Sequence, residues 1–190
     1  MSIKLQTRIH FEKYAAEWLL FVAICAVSTA SIFIRFAQND TNSLTIAWAR
    51  MFISVVFLLP FLGKKAINDF RLLKKKYQRL IVISGIFLGL HFISWITSLE
   101  TISIASSVVL VTTTPLWVAL LSPLMLDEKP GKSFLLALGV AFLGIIIITF
   151  TGTNSGNTDL IKPTSPTYGY LLAIGGAWCA TGYFIIGRKV

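Results

Sequence analysis

Six apolar stretches divide the chain, and Lys and Arg crowd into alternate gaps between them. The stretches cover 18–37, 45–62, 80–99, 104–126, 134–151 and 168–186. Each is about as long as the ~17–25 residues a helix needs to cross ~30 Å of hydrocarbon. The N-terminal segment carries Lys4, Arg8 and Lys13, and the first gap carries no basic residue. The second gap holds Lys64, Lys65, Arg71, Lys74, Lys75, Lys76 and Arg79, and the third again holds none. The fourth has Lys129 and Lys132, the fifth only Lys162, and the C-terminal end Arg188 and Lys189. Basic segments stay on the cytoplasmic side during insertion, so the N-terminus, the second and fourth gaps and the C-terminus are expected inside. In lipid only helices and closed barrels satisfy their own backbone groups, and runs of this length without alternation predict helices. The expected fold class is an all-α integral membrane protein, a multi-helix transmembrane bundle.

Composition agrees. With 55% hydrophobic and only 13% charged residues and a mean hydropathy of +0.77, the chain exceeds what a soluble domain of 190 residues could bury. The net charge of +9 invites a nucleic-acid reading, but of the seventeen Lys and Arg only Arg35, Arg50 and Lys162 fall outside the expected cytoplasmic segments. The charge therefore reads as a topology signal, with attraction to anionic lipid headgroups between Lys64 and Arg79, and no nucleic-acid partner is expected. Cys25 and Cys179 sit inside apolar spans, where thiols pack as small hydrophobes. Two thiols cannot build a tetrahedral zinc site unaided, and no metal or cofactor is expected. The first seventeen residues are charged and amphipathic, and no small-residue cleavage site follows the first span, so no cleavable signal peptide is expected.

The polar, Gly- and Pro-containing run TNSGNTDLIKPTSP marks a boundary between two units. Across it, WLLFVAICAVSTASIFI from Trp18 and YLLAIGGAWCATGYFII from Tyr170 share Leu19/Leu171, Leu20/Leu172, Thr29/Thr181 and Ile34/Ile186 at a constant offset. Low-complexity helices can match in this way by chance. Orientation adds weight, because the first span runs in-to-out and the sixth out-to-in. Five spans per unit would invert a second copy relative to the first, the architecture of many secondary transporters. The expected organisation is a cytoplasmic segment 1–17, a five-helix repeat 18–151, an external linker 152–167, and the first helix of an inverted repeat at 168–190.

Particular residues carry a family likeness. The Thr114-Pro115-Leu116-Trp117 run is followed at its helix end by Asp127-Glu128-Lys129 and then by a Gly-spaced apolar helix. Ala49-Arg50-Met51-Phe52 leads to Leu59-Pro60 in the second span. Over most of residues 18–187 the chain resembles the EamA-like branch of the drug/metabolite transporter superfamily. The resemblance implies a ten-helix bundle of two inverted five-helix repeats, of which this chain would hold the first repeat and helix six, with the remaining helices of the second repeat as its partners. It also implies a secondary transporter, more an exporter than an importer, for an amino acid, other metabolite or drug at the inner (plasma) membrane.

Polar residues deep in a span are costly and therefore informative. A rise of ~1.5 Å per residue from Leu80 puts His91 ~16 Å into the bilayer, about its midplane. Its imidazole could bind substrate or carry a proton, or it could simply bond a neighbouring helix. Thr112, Thr113, Thr114 and Pro115 reach the same depth in the fourth span. Pro115 removes a backbone donor and strands the carbonyl near Val111, and the threonine hydroxyls could satisfy such groups or face a cavity. Trp95 and Trp178 are expected to line that central cavity with them, and Trp48 and Trp117 could do so too, although Trp18 and Trp48 equally suit the interfacial belt. Arg35, Arg50 and Glu100 share the outer membrane level, where they form either a structural ion pair with snorkelling arginines or an anion-attracting vestibule. Gly85 with Gly89, and Gly139 with Ala141 and Gly144, are expected to make tight helix contacts. No span carries a mid-membrane Asp or Glu, and no His-Glu-x-x-His, P-loop or Gly-x-Ser-x-Gly occurs. The rivals to a transporter are a membrane enzyme acting on a lipid or prenyl carrier, which would have to use Asp127, Glu128 and Lys129, and a non-transporting scaffold.

Overall fold

The computed structural model describes residues 3–128, 130–152 and 166–190. They form seven helices: α1 (Ile3–Ala37), α2 (Ser43–Leu72), α3 (Lys75–Thr101), α4 (Ile104–Val111), α5 (Thr114–Met125), α6 (Lys132–Gly152) and α7 (Pro166–Gly187). Among the described residues there is no strand. Five apolar lengths suffice to cross a membrane: Ala16–Ala37, α2, α3, Ile104–Met125 and α7. The fifth expected span coincides with α6, whose described apolar portion is Lys132–Gly144. Most of the expected external linker, and Lys129, lie outside the described residues. Helix α1 begins at Ile3, so the basic N-terminal segment is helical and continuous with the first span.

The second gap is a correction to the sequence reading. It is not a loop: α2 continues through Lys64 and Lys65 to Leu72, and only Leu73 and Lys74 separate it from α3. Thirty residues of helix span ~45 Å, well beyond the hydrocarbon. No Gly or Pro stands between Lys64 and Arg79, and Lys, Arg and Ala are good helix formers, so the helix outlasts the membrane. Gln78 Nε2 closes the short turn by donating to the Phe70 carbonyl at 3.0 Å.

Helix α7 is the centre of the bundle. Its most extensive interface is with α3, and it also packs on α4 and α5. The buried positions Gly169, Ala173, Gly176, Ala177, Ala180, Thr181 and Ile185 recur at three- and four-residue spacing, a stripe of mainly small residues down one face. Small residues let backbones approach closely, which is how helices associate where lipid supplies no hydrophobic drive. A Cβ at Gly169 would overlap Thr101 Oγ1 and lie 2.6 Å from Ile102 Cγ2, and one at Gly182 would lie 2.8 Å from Phe87 Cδ1. Ser84 Oγ donates to the Tyr183 carbonyl at 3.2 Å. Rising numbers on α3 thus meet falling numbers on α7, and the pair is antiparallel. By contrast Gly85, Gly89, Gly139 and Gly144 have nothing within 4 Å of an added Cβ, so among the described residues the expected glycine contacts on α3 and α6 are not made.

A second core lies where the end of α1, the start of α2 and the end of α3 come together, the ends expected to face outward, and there Ile34, Ala47, Trp95, Ile96 and Leu99 pack together. Polar groups tie its rim. Gln38 Nε2 donates to Ser43 Oγ and to the Ile96 carbonyl, each at 2.7 Å, and the Ser43 N–H donates to Glu100 Oε1 at 3.0 Å.

Candidate functional site

Three consecutive positions of α7 meet His91, Thr114 and Trp117, whereas Thr112 and Pro115 stay exposed. Gly176 meets His91: the imidazole Nδ1 lies 2.9 Å from the Gly176 carbonyl oxygen. Ala177 meets Thr114, whose Oγ1 is 3.5 Å from the Ala177 carbonyl. Trp178 meets Trp117, with ring centroids 4.8 Å apart. A carbonyl only accepts, so Nδ1 of His91 carries a proton, and in the neutral form of the ring Nε2 is an acceptor. The His91 ring stacks on Trp95 at 6.1 Å and 18°, and Trp95 is only 7% exposed.

The threonine run is a helix break. Helix α4 ends at Val111 and α5 begins at Thr114, with Thr112 and Thr113 between them. Pro115 has no N–H for the Val111 carbonyl, and Thr114 Oγ1 supplies the missing donor at 2.8 Å. Thr112 Oγ1 donates to the Val109 carbonyl at 2.9 Å, and Thr113 Oγ1 to the Leu110 carbonyl at 2.6 Å. Trp117 Nε1 in turn donates to Thr113 Oγ1 at 3.1 Å. All three hydroxyl protons are therefore committed to the backbone, and toward a solute these oxygens can act only as acceptors. Thr114 is buried, whereas Thr112 and Pro115 are exposed.

The model of the EamA-like transporter family matches residues 15–150, more than two thirds of the chain. This chain belongs to the EamA-like transporter family. It is accordingly a transporter-type, multi-pass membrane protein, and the family's members are transporters rather than enzymes. No curated protein and no solved structure matches the chain. The EamA match ends before α7, so the meeting of α7 with α3 and α5 is seen only in the fold.

At the outer level the expected Arg50–Glu100 ion pair does not form. Arg50 instead lies over Phe92, 4.6 Å from the ring centroid, and over Trp95 at 5.6 Å. Glu100 is occupied in holding the start of α2 through the Ser43 N–H. Arg35 Nη1 is buried without a hydrogen-bond partner. Glu100 is level with Ser43 at the start of α2, whereas Arg50 lies seven residues further along that helix beside Phe92 and Trp95, so depth separates the two charges. A cleft of about 580 Å³ opens between α2 and α3, lined by Trp48, Met51, Gly89 and Ile93 among others. It lies on the face of α3 opposite His91, because Gly89 and Ile93 sit half a helical turn away from His91 and Trp95. Sequence reasoning missed Phe92 as the seat of Arg50. The Phe92–Trp95 pair, three residues apart and so on one helix face, was the available signal. It also missed the Gly176 and Ala177 carbonyls, which no side-chain motif can announce.

Proposed function

We propose that this chain forms the first repeat, with the first helix of an inverted second repeat, of a secondary transporter that exports a small organic metabolite, amino acid or drug across the inner (plasma) membrane by alternating access. Both ends of the chain then lie in the cytoplasm, with the basic ends of α2 and α3 against anionic headgroups. The observation that carries the reading is the convergence of His91, Thr114 and Trp117 on Gly176, Ala177 and Trp178. Residues from the first repeat meet the following unit at mid-membrane depth, where inverted-repeat transporters place their substrate. His91, Trp95, Thr112, Thr113, Thr114, Pro115 and Trp178 line that junction, and the remaining helices of the second repeat enclose it from the other side. Exchange of a solute bound there requires α7 to shift against α3 and α5, and the Thr112–Thr113 break provides a joint at which α5 can move with it.

The test is uptake of a panel of radiolabelled amino acids and small metabolites into proteoliposomes carrying the full-length protein. His91→Ala should abolish transport or change which solute is carried, while expression and size-exclusion behaviour stay normal. Unchanged transport by that variant would reduce the imidazole to a helix tie and place the site elsewhere.

A further inference from the structure

The outer half of the bundle holds more donors than acceptors. Among the described residues, neither Arg35 nor Arg50 reaches a carboxylate, and the pair Arg188–Glu128 lies at the other end of the bundle. Arg35 Nη1 and Trp95 Nε1 are both buried without a hydrogen-bond partner. Arg50 rests on two ring faces, which attract its charge but accept none of its five N–H groups in the bidentate manner a guanidinium is shaped for. Glu100, level with the start of α2, is taken by Ser43, and the unpartnered acceptor Gln38 Oε1 is an uncharged amide. Buried polar groups are nearly always satisfied, so an indole N–H and a guanidinium left open together ask for an acceptor the chain does not supply.

We propose that Arg50, seated on Phe92 and Trp95, with the buried indole N–H of Trp95 as second donor, is the subsite for the carboxylate of an apolar-bodied solute. A carboxylate draws the guanidinium off the rings because a charge-assisted bidentate pair is stronger than a cation–π contact. The Phe92 and Trp95 rings beneath Arg50 give the site apolar walls for the body of such a solute. Lipid phosphate is the other source of an anion. A rise of ~1.5 Å per residue from Ser43 puts Arg50 ~10 Å below the outer end of α2, deeper than headgroups sit. The Trp95 ring touches both Arg50 and His91, which connects this subsite to the junction at α7. The proposal rests on the transporter reading for its solute, but not for its chemistry.

Binding is measured on the full-length protein in phosphatidylcholine nanodiscs, using two matched acid–amide pairs: phenylacetate with phenylacetamide, and isocaproate with isocaproamide. At least one acid should bind about tenfold or more tightly than its amide. Arg50→Gln should bring that acid to the level of its amide. Arg50→Lys, which keeps the charge but not the fork, should retain part of the preference and so exclude misfolding as the cause. Trp95→Phe keeps a ring under Arg50 but removes the N–H, and should weaken the acid by about threefold to tenfold. Equal binding of acid and amide, no binding of either acid, or a preference that survives Arg50→Gln overturns the proposal. So does a preference lost when phosphatidylglycerol is added to the nanodisc, which would assign Arg50 to a headgroup. If the acids bind through Arg50 but no solute enters proteoliposomes, the transport reading fails and this site stands. If solutes cross with no acid preference, the site fails and transport stands.

Discussion

Thr114 shows how one side chain can hold up a helix break and face a candidate site together. Its hydroxyl takes the Val111 carbonyl that Pro115 cannot serve, and its oxygen lies near the Ala177 carbonyl of the neighbouring helix. Thr114→Val keeps the shape but leaves a buried carbonyl open, which costs about 1–3 kcal/mol. A lowered thermal midpoint in detergent is therefore expected, with Thr114→Ser recovering most of the loss. Thr112→Val should cost less, because Thr112 is exposed. A second backbone feature closes α5. Asp127 has φ 56°, in the left-handed region that Asp tolerates better than most side chains. Asp127→Val should destabilise by ~1 kcal/mol or more, since a β-branched residue suits that region least, whereas Asp127→Gly should be neutral or stabilising. If both substitutions have the same effect on the thermal midpoint, the left-handed turn at Asp127 does not hold the end of α5.

At the scale of the element, α7 is defined by what it lacks. Its small-residue face lets α3 approach until Gly169 touches Thr101 and Ile102. Gly169→Leu should force the outer end of α7 away from α3 and abolish crosslinking of cysteines placed at Thr101 and Gly169-adjacent Tyr168, while Gly139→Leu on α6, with nothing within 4 Å, should leave stability within ~0.5 kcal/mol. That contrast also marks how far the sequence is legible. Gly85 and Gly89 have the spacing of a contact motif, yet small residues only permit close approach; a partner must supply it, and a single chain does not name the partner. Hydropathy located the spans within a few residues, because burial in lipid selects apolar side chains. It failed between Lys64 and Arg79, because hydropathy ends where water begins and the α2 helix does not. The contacts of the candidate site were legible only in part. His91 and Thr114 were expected at one level and do meet one helix. Arg50 and Glu100 were expected at one level and do not meet, because Glu100 faces Ser43 and Arg50 lies ~10 Å further along α2, a register between helices that hydropathy does not fix.

For the molecule as a whole, helix contacts constrain the direction of each crossing independently of charge. Ser84, His91 and Thr101 of α3 meet Tyr183, Gly176 and Gly169 of α7, in reversed order. Thr114 and Trp117 of α5 meet Ala177 and Trp178 in the same order, and the ends of α5 and α7 are joined by the Arg188–Glu128 pair at 2.8 Å. Thus α3 runs against α7 and α5 runs with it, as required if α4 with α5 forms one crossing and α6 one return. If the start of α3 is inside, as the alternating Lys and Arg residues lead one to expect, the end of α7 is expected inside with Arg188 and Lys189. Two lines of evidence, one from insertion chemistry and one from packing, therefore give the same expected topology. Reporter fusions after Asp40, Ser103 and Asp159 should report the external side, and fusions near Lys75, Lys132 and Lys189 the cytoplasmic side. The fusion at Asp159 decides most. A cytoplasmic signal there would make α6 fail to return, leave α7 parallel to α3 in the membrane, and break both the antiparallel contact at Gly176 and the inversion of α7 relative to α1.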